Sequence, residues 1–209
     1  MIARLKHVLL FSIVSIGGNS ASALAAETYA IDPAHTSVVF SVGHTGLSYI
    51  YGVFREAGGG YILDKMNPAN CRFEFAIQTE SIDTNHAERD KHLRGADFLN
   101  TEQFPTITFQ STSCALGNAP AGSIVYNVTG NLTIHGVTRQ VTLPLRMLGE
   151  GKGPFGDERT GFLCQVELKR SDYGMKNLLE MVGDAVGITI SFEGTMRQAT
   201  GQTAPPPRR

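Results

Sequence analysis

Between Thr36 and Met196 apolar side chains recur at every second position, and that period admits few architectures. In CRFEFAI, Cys71, Phe73, Phe75 and Ile77 share one face while Arg72 and Glu74 point the other way. In IVYNVTGNLTI, Ile124, Tyr126, Val128, Leu132 and Ile134 alternate with Asn127, Thr129, Asn131 and Thr133. The pattern also runs through Val38, Phe40 and Val42, through Ile107 and Phe109, and through Val141, Leu143, Leu145 and Met147. It returns in Phe162, Cys164, Val166 and Leu168, and in Val186, Ile188, Ile190 and Phe192. With a shorter segment from Gly52 to Tyr61, this makes about eight strands. His135-Gly136 marks a two-residue hairpin, where glycine accepts positive φ. One apolar face per strand, without long amphipathic helices to cover an open sheet, leaves a sandwich or a closed antiparallel barrel. Long strands in meander order favour the barrel. Its interior is either just filled by side chains or holds one small ligand, and the alternation does not choose between them.

The two ends fall outside this pattern. Arg4 and Lys6 precede the apolar run Val8 to Gly18, and Ala23-Leu24-Ala25 fits a small-x-small cleavage site. The run falls well short of the roughly twenty residues that span a bilayer, so residues 1–25 are expected to be a removed export signal. Residues 198–209, ending in Pro205-Pro206-Pro207-Arg208-Arg209, have no apolar periodicity and are expected to be a disordered tail. The single domain is therefore expected over residues 26–197. Removing Arg4 and Lys6 takes two positive charges from a net charge of −1. No basic stripe remains for nucleic acid, and nothing predicts stable membrane insertion. Three cysteines, Cys71, Cys114 and Cys164, remain, an odd number that leaves at least one thiol free or bonded to another chain. Aligning inward Phe75 with Phe109 sets Cys71 opposite Ser113 and turns Cys114 to the other face, so no intramolecular disulfide is expected.

Glu88 to Arg94, ERDKHLR, concentrates charge in a chain that is only 18% charged. As a catalytic or metal site it lacks convergent partners, since only His86 lies nearby and a metal wants three or four ligands. As a surface helix it is better explained: Thr84 serves as a cap, and Glu88 with His92 and Asp90 with Arg94 are spaced i,i+4. Gly95 provides the stop. The segment reads as a short helical lid within Asn85 to Asn100, anchored by Phe98 and Leu99.

Taken in order, several segments resemble one family. They are YAIDPAHTSVVFSVGHTGLSYIYGVF, SIDTNHAERDKHLRGADFLNTEQFPTITFQS, VTGNLTIHGVTRQVTLPL, GFLCQVELKRSDYGM and VGDAVGITISFE. From about Tyr29 to Glu193 the chain resembles the YceI-like family of exported bacterial proteins. The resemblance implies an extended, lipocalin-like antiparallel barrel with an internal tunnel, often homodimeric, that binds a long apolar lipid of polyisoprenoid or fatty-amide type. It also implies a periplasmic location, although the sequence does not separate periplasm from full secretion. From periodicity alone the inward aromatics would fill a dry core, because interiors are normally close-packed. The resemblance implies instead that the inward face lines a tunnel. Its expected ligand-binding residues are Phe40, Val42, Phe54, Phe73, Phe75, Ile77, Phe109, Val128, Leu143, Phe162, Val166, Ile190 and Phe192, with His44 and Arg170 near a mouth.

His35 and His135 read as turn or local structural residues, whereas His44 follows Gly43 at a strand end where a head group could lie. Arg170 suits an anionic head group, or else an ion pair with Asp172 or Asp90. No GxSxG, GxGxxG or HExxH occurs, and no nucleophile, base and orienter assemble in the sequence. No cofactor, metal ligand or catalytic residue is therefore expected. Two functional classes stay open: a non-enzymatic lipid carrier or store, and an enzyme or redox protein acting on an isoprenoid quinone or prenyl phosphate through His44 or Cys164.

Overall fold

The alternating segments pair into one antiparallel sheet that closes on itself in this computed structural model, which describes residues 26–197. The expected export signal, 1–25, and the expected tail, 198–209, lie outside the described residues. The strands are β1 (Glu27–His44), β2 (Ser48–Phe54), β3 (Ala57–Leu63), β4 (Arg72–Gln78), β5 (Ile82–Asp83), β6 (Thr106–Leu116), β7 (Ile124–Ile134), β8 (Val137–Lys152), β9 (Glu158–Lys169) and β10 (Val182–Met196). One helix, α1 (Ala87–Arg94), lies between β5 and β6. From β3 to β10 the main strands follow in meander order, and β10 pairs back onto β1. The first part of β1 pairs with β3 and its last part with β2, so these two short strands share one place in the wall. The result is an eight-stranded closed barrel with one short helix.

Phe75 aligns with Phe109, as the alternation predicts. His135 and Gly136 both have positive φ, 51° and 73°, which gives the two-residue turn the twist its flanking strands require. A bulge in β6 between Ser111 and Ser113 is not visible in the alternation, and it reverses the expected facing of Cys114. Cys114 is buried inside, on the same side as Cys71.

The interior is not uniform along the barrel. At one end Tyr29 stacks on Tyr61 (4.8 Å between rings), Tyr61 stacks on Phe73 (5.4 Å), and Phe162 meets both edge-on. Tyr126, Val128 and Phe162 are fully buried there, so this end is packed solid. Gly194 makes the packing feasible, because a Cβ at that position would sit 2.0 Å from the Tyr61 hydroxyl oxygen. Tyr61 is held by its stacked rings and by a hydrogen bond with the Thr160 hydroxyl, and it has nowhere to move. Gly194→Ala is expected to destabilise the barrel by about 1–3 kcal/mol, seen as a lower Tm in thermal unfolding.

On the same end, Arg159 Nη1 donates to Asp32 (2.8 Å) and Glu193 (3.0 Å), and its Nε donates to Asp157 (2.6 Å). These bonds pin the stretch where the register of β1 on β10 shifts between Ile31 and Thr36. Hydrogen bonding to His35 and then to Arg159 holds the Asp32 carboxyl down at about 2. A carboxyl depressed by folding contributes stability that is present above its unfolded value of about 4 and is lost as pH falls through its folded value. Asp32→Asn should therefore lower Tm at neutral pH, and the gap from the parent should narrow between about pH 4 and pH 2. Calorimetric Tm against pH reads this directly.

Candidate ligand-binding cavity

Beyond the packed end the barrel is hollow. A cavity of about 210 Å³ lies between the aromatic stack and the α1 segment. That exceeds by more than tenfold the roughly 10–15 Å³ that admits a single water, so side chains do not fill this half. Wall residues such as Phe40, Phe75, Phe109, Val166 and Ile188 face Leu93, Phe98 and Leu99 from the lid. Met175 and Tyr173 close it from the loop after β9. The lining is almost wholly hydrocarbon. Glu74 borders it, but its exposed carboxylate accepts a hydrogen bond from Gln110 (3.4 Å) on the outer face.

Of the residues expected to bind ligand, Phe40, Val42, Phe54, Phe73, Phe75, Ile77, Phe109, Leu143, Val166, Arg170, Ile190 and Phe192 line this cavity. Val128 and Phe162 do not. Both face inward but are completely buried at the packed level. His44 also lies outside the lining: the register of β1 on β10 shifts between Val42 and His44, and the His44 Nδ1 lies 3.4 Å from the neighbouring Thr45 hydroxyl. Conversely, Leu93, Phe98, Tyr173 and Met175 belong to the lining but fall in the two stretches where strand alternation breaks. The sequence signals for these stretches are Leu93, Phe98 and Leu99 at helix-like spacing among charged residues, and Met175 among the apolar residues of 172–185.

Arg170 is engaged by the backbone rather than by a carboxylate. Its Nε donates to the Gly183 carbonyl (2.9 Å), Nη1 donates to Met175 and Asn177 (2.9 and 2.8 Å), and Nη2 donates to Val182 (2.8 Å). Four of its five N–H groups are thus committed to holding the loop 175–183, and neither Asp172 nor Asp90 is its partner. Its guanidinium sits 5.9 Å over the Phe98 ring, which ties the loop to the lid. Burial lowers its basicity, while nearby Asp184 opposes the shift. Asp184 itself accepts from the Ser171 N–H (2.9 Å) and hydroxyl (2.8 Å), bonds that hold its carboxyl below the usual range. Tyr173 lines the cavity, and its hydroxyl is buried without a hydrogen-bond partner, with Arg139 and Asp172 as its charged neighbours. The Cys164 thiol also borders the cavity, but burial pushes it up to about 11, far from a reactive thiolate at neutral pH.

The charged run builds the lid. His86, not Thr84, caps α1, and its ring nitrogen accepts from the Arg89 N–H at 3.3 Å. The expected i,i+4 pairs are replaced by contacts that tie the helix to the chain before it. Buried Asp90 accepts from the Thr84 N–H (2.9 Å) and from its hydroxyl. Arg89 donates to Thr84, and Arg94 donates to the Glu80 and Ile82 carbonyls. His92 lies 3.2 Å from Asp97 and edge-on to Phe98, at 5.0 Å between rings. The charges hold Phe98 and Leu99 over the cavity. Among the described residues no group of three or more metal-ligating side chains converges, and no helix is long and apolar enough to cross a membrane.

A closed antiparallel barrel, solid at one end and hollow with an apolar lining at the other, defines a class of hollow β-barrels. Within that class, the YceI-like domain pattern matches residues 29–194, and the chain belongs to the YceI-like family. The protein YceI of Salmonella arizonae is 40% identical over 195 residues, covering 92% of this chain and 99% of that one. Among solved structures, BcnA of Burkholderia cenocepacia superposes with a TM-score of 0.67 at 25% identity, covering 78% of this chain and 98% of its own. A polyisoprenoid binding domain from Saccharophagus degradans, described as implicated in plant cell wall breakdown, shares the fold with a TM-score of 0.61 at 16% identity. That match covers 81% of this chain and 98% of the domain.

Proposed function

We propose that this protein binds a long apolar lipid, of polyisoprenoid or fatty-amide type, and acts as its carrier or store without transforming it. The observation that carries this reading is the hollow, hydrocarbon-lined half of the barrel. A lipid tail has no hydrogen-bonding groups, and its site needs little beyond surface removed from water. At roughly 25 cal/mol per Å² of apolar area, enclosing a long chain contributes many kcal/mol without a polar contact. The fold shared with the S. degradans polyisoprenoid binding domain supports the ligand class. An enzymatic role gains nothing from His44, which lies outside the lining, or from Cys164, whose thiol burial holds protonated. The proposed setting is the periplasm, after loss of residues 1–25, with homodimerisation as the family resemblance implies.

The test is organic extraction of natively purified protein followed by mass spectrometry. A long-chain lipid recovered in near-stoichiometric amount is expected. Protein that carries no lipid and fails to retain an added polyprenol or fatty amide would sink the reading. Turnover of an isoprenoid quinone or prenyl phosphate would replace it with the enzymatic one.

A further inference from the structure

The bulge in β6 has a chemical consequence at the packed end. Carried on from Phe75 and Phe109, the register of β4 on β6 would turn Cys114 outward. The register of β6 on β7 instead gains one residue between Ser111 and Ser113, and Cys114 then lies opposite Val128, which is completely buried. A bulge re-aims the side chains that follow it. Cys71, just before β4, is 0% exposed, and Cys114 is 6% exposed in the same cluster. The cysteines are free thiols in the structure. Neither Cys71 nor Cys114 touches the lipid cavity. We propose that Cys71 and Cys114 form a redox modification site, a thiol pair that closes to an intramolecular disulfide by exchange with a low-molecular-weight disulfide while Cys164 stays reduced.

Cys71 is the attacking member. Its thiol is lowered by the close approach of Cys114, against the opposing effect of burial, and the Asp64 N–H donates to its sulfur at 3.2 Å. The same approach, with burial, raises Cys114. The Cys71 thiolate attacks one sulfur of the small disulfide, breaking its S–S bond and releasing one small thiol that takes up the Cys71 proton. Cys114 then gives up its proton and attacks the Cys71 sulfur of the mixed disulfide, releasing the second small thiol. Two protein thiols are oxidised and one small disulfide is reduced to two thiols. The cross-link joins the two ends of the stretch holding β4, β5, the lid helix and β6 up to its bulge, so the lid's own connections are enclosed in a covalent loop.

The experiment refolds the chain in an oxidised and reduced glutathione buffer, so burial does not limit access, and compares it with protein refolded in dithiothreitol. Denaturing thiol titration should find three thiols in the reduced sample and a loss of two of them in the oxidised one. Proteolysis under non-reducing conditions should link the Cys71 and Cys114 peptides. Cys164→Ala should keep the link, and either Cys71→Ala or Cys114→Ala should remove it. Three free thiols after oxidative refolding to the native barrel, or a link that includes Cys164, would overturn the proposal. Because neither paired cysteine lines the cavity, lipid retention reads out separately and its failure leaves this result untouched.

Discussion

Phe75→Glu is expected to weaken lipid retention by at least about a hundredfold at neutral pH, because a few kcal/mol of lost binding corresponds to that factor. Phe75 lies in the wall of the cavity, opposite Phe109 across the β4–β6 ladder and 5.9 Å from the Phe192 ring. A carboxylate there faces hydrocarbon, and burying it ionised without a partner costs several kcal/mol. It escapes the cost by protonating or by drawing water into the cavity, and water in the cavity competes with lipid. The pH dependence follows from the sign of the shift. The carboxyl's folded pKa is raised above the unfolded value of about 4.3, so the native state holds the extra proton between the two values. Stability of the variant then falls as pH rises through that window, and retention recovers in part toward acid. Equilibrium binding of a polyprenol or fatty amide at several pH values checks both. A variant that folds and binds like the parent at neutral pH would show that Phe75 does not face the ligand. Glu88→Ala, on the outer side of the lid helix, should leave retention unchanged.

The faces of the strands were legible because burial of one face imposes a period of two, and a slip of one residue would exchange every side chain. That is why Phe40, Val42, Phe75, Ile77, Val166 and Ile190 could be placed on the inside from their spacing. Position along the barrel has no such period. Val128 and Phe162 share the inward face with the lining residues, yet they lie in the packed end. Separating them requires the register between strands, which no single strand encodes. The β6 bulge escaped for a related reason, since QSTSCAL contains too few apolar residues after Phe109 to reveal a change of face. At the lid, charge drew attention to ERDKHLR, but the groups that meet the cavity are its one apolar member, Leu93, and the apolar pair that follows, Phe98 and Leu99. The helix was readable. Its cap and ion pairs were not, because Asp90 and Arg94 find backbone and hydroxyl partners before the helix that outcompete the i,i+4 neighbours.

Arg170→Ala should cost about 3–5 kcal/mol and lower Tm by roughly 6–20 °C, the second largest effect expected. In the sequence Arg170 has the look of a head-group ligand, but the geometry assigns its guanidinium to the protein. Four carbonyls, those of Met175, Asn177, Val182 and Gly183, converge on it, and no other donor is placed to replace it. Truncation leaves these acceptors at a buried loop junction and removes the cation stacked over Phe98, so loop and lid loosen together. Arg170→Lys should recover only a fraction of the loss, because a single ammonium presents three donors from one point and does not reproduce the planar fork. The two roles separate by where the loss falls. A head-group ligand would give a variant of nearly normal Tm with weak retention of anionic lipids and unchanged retention of neutral ones. A loop pin gives a lowered Tm and an equal loss of retention for neutral and anionic chains, most of it recovered at temperatures well below the new midpoint. Thermal unfolding beside retention of a polyprenol and its phosphate decides between them, and the second pattern is the one expected.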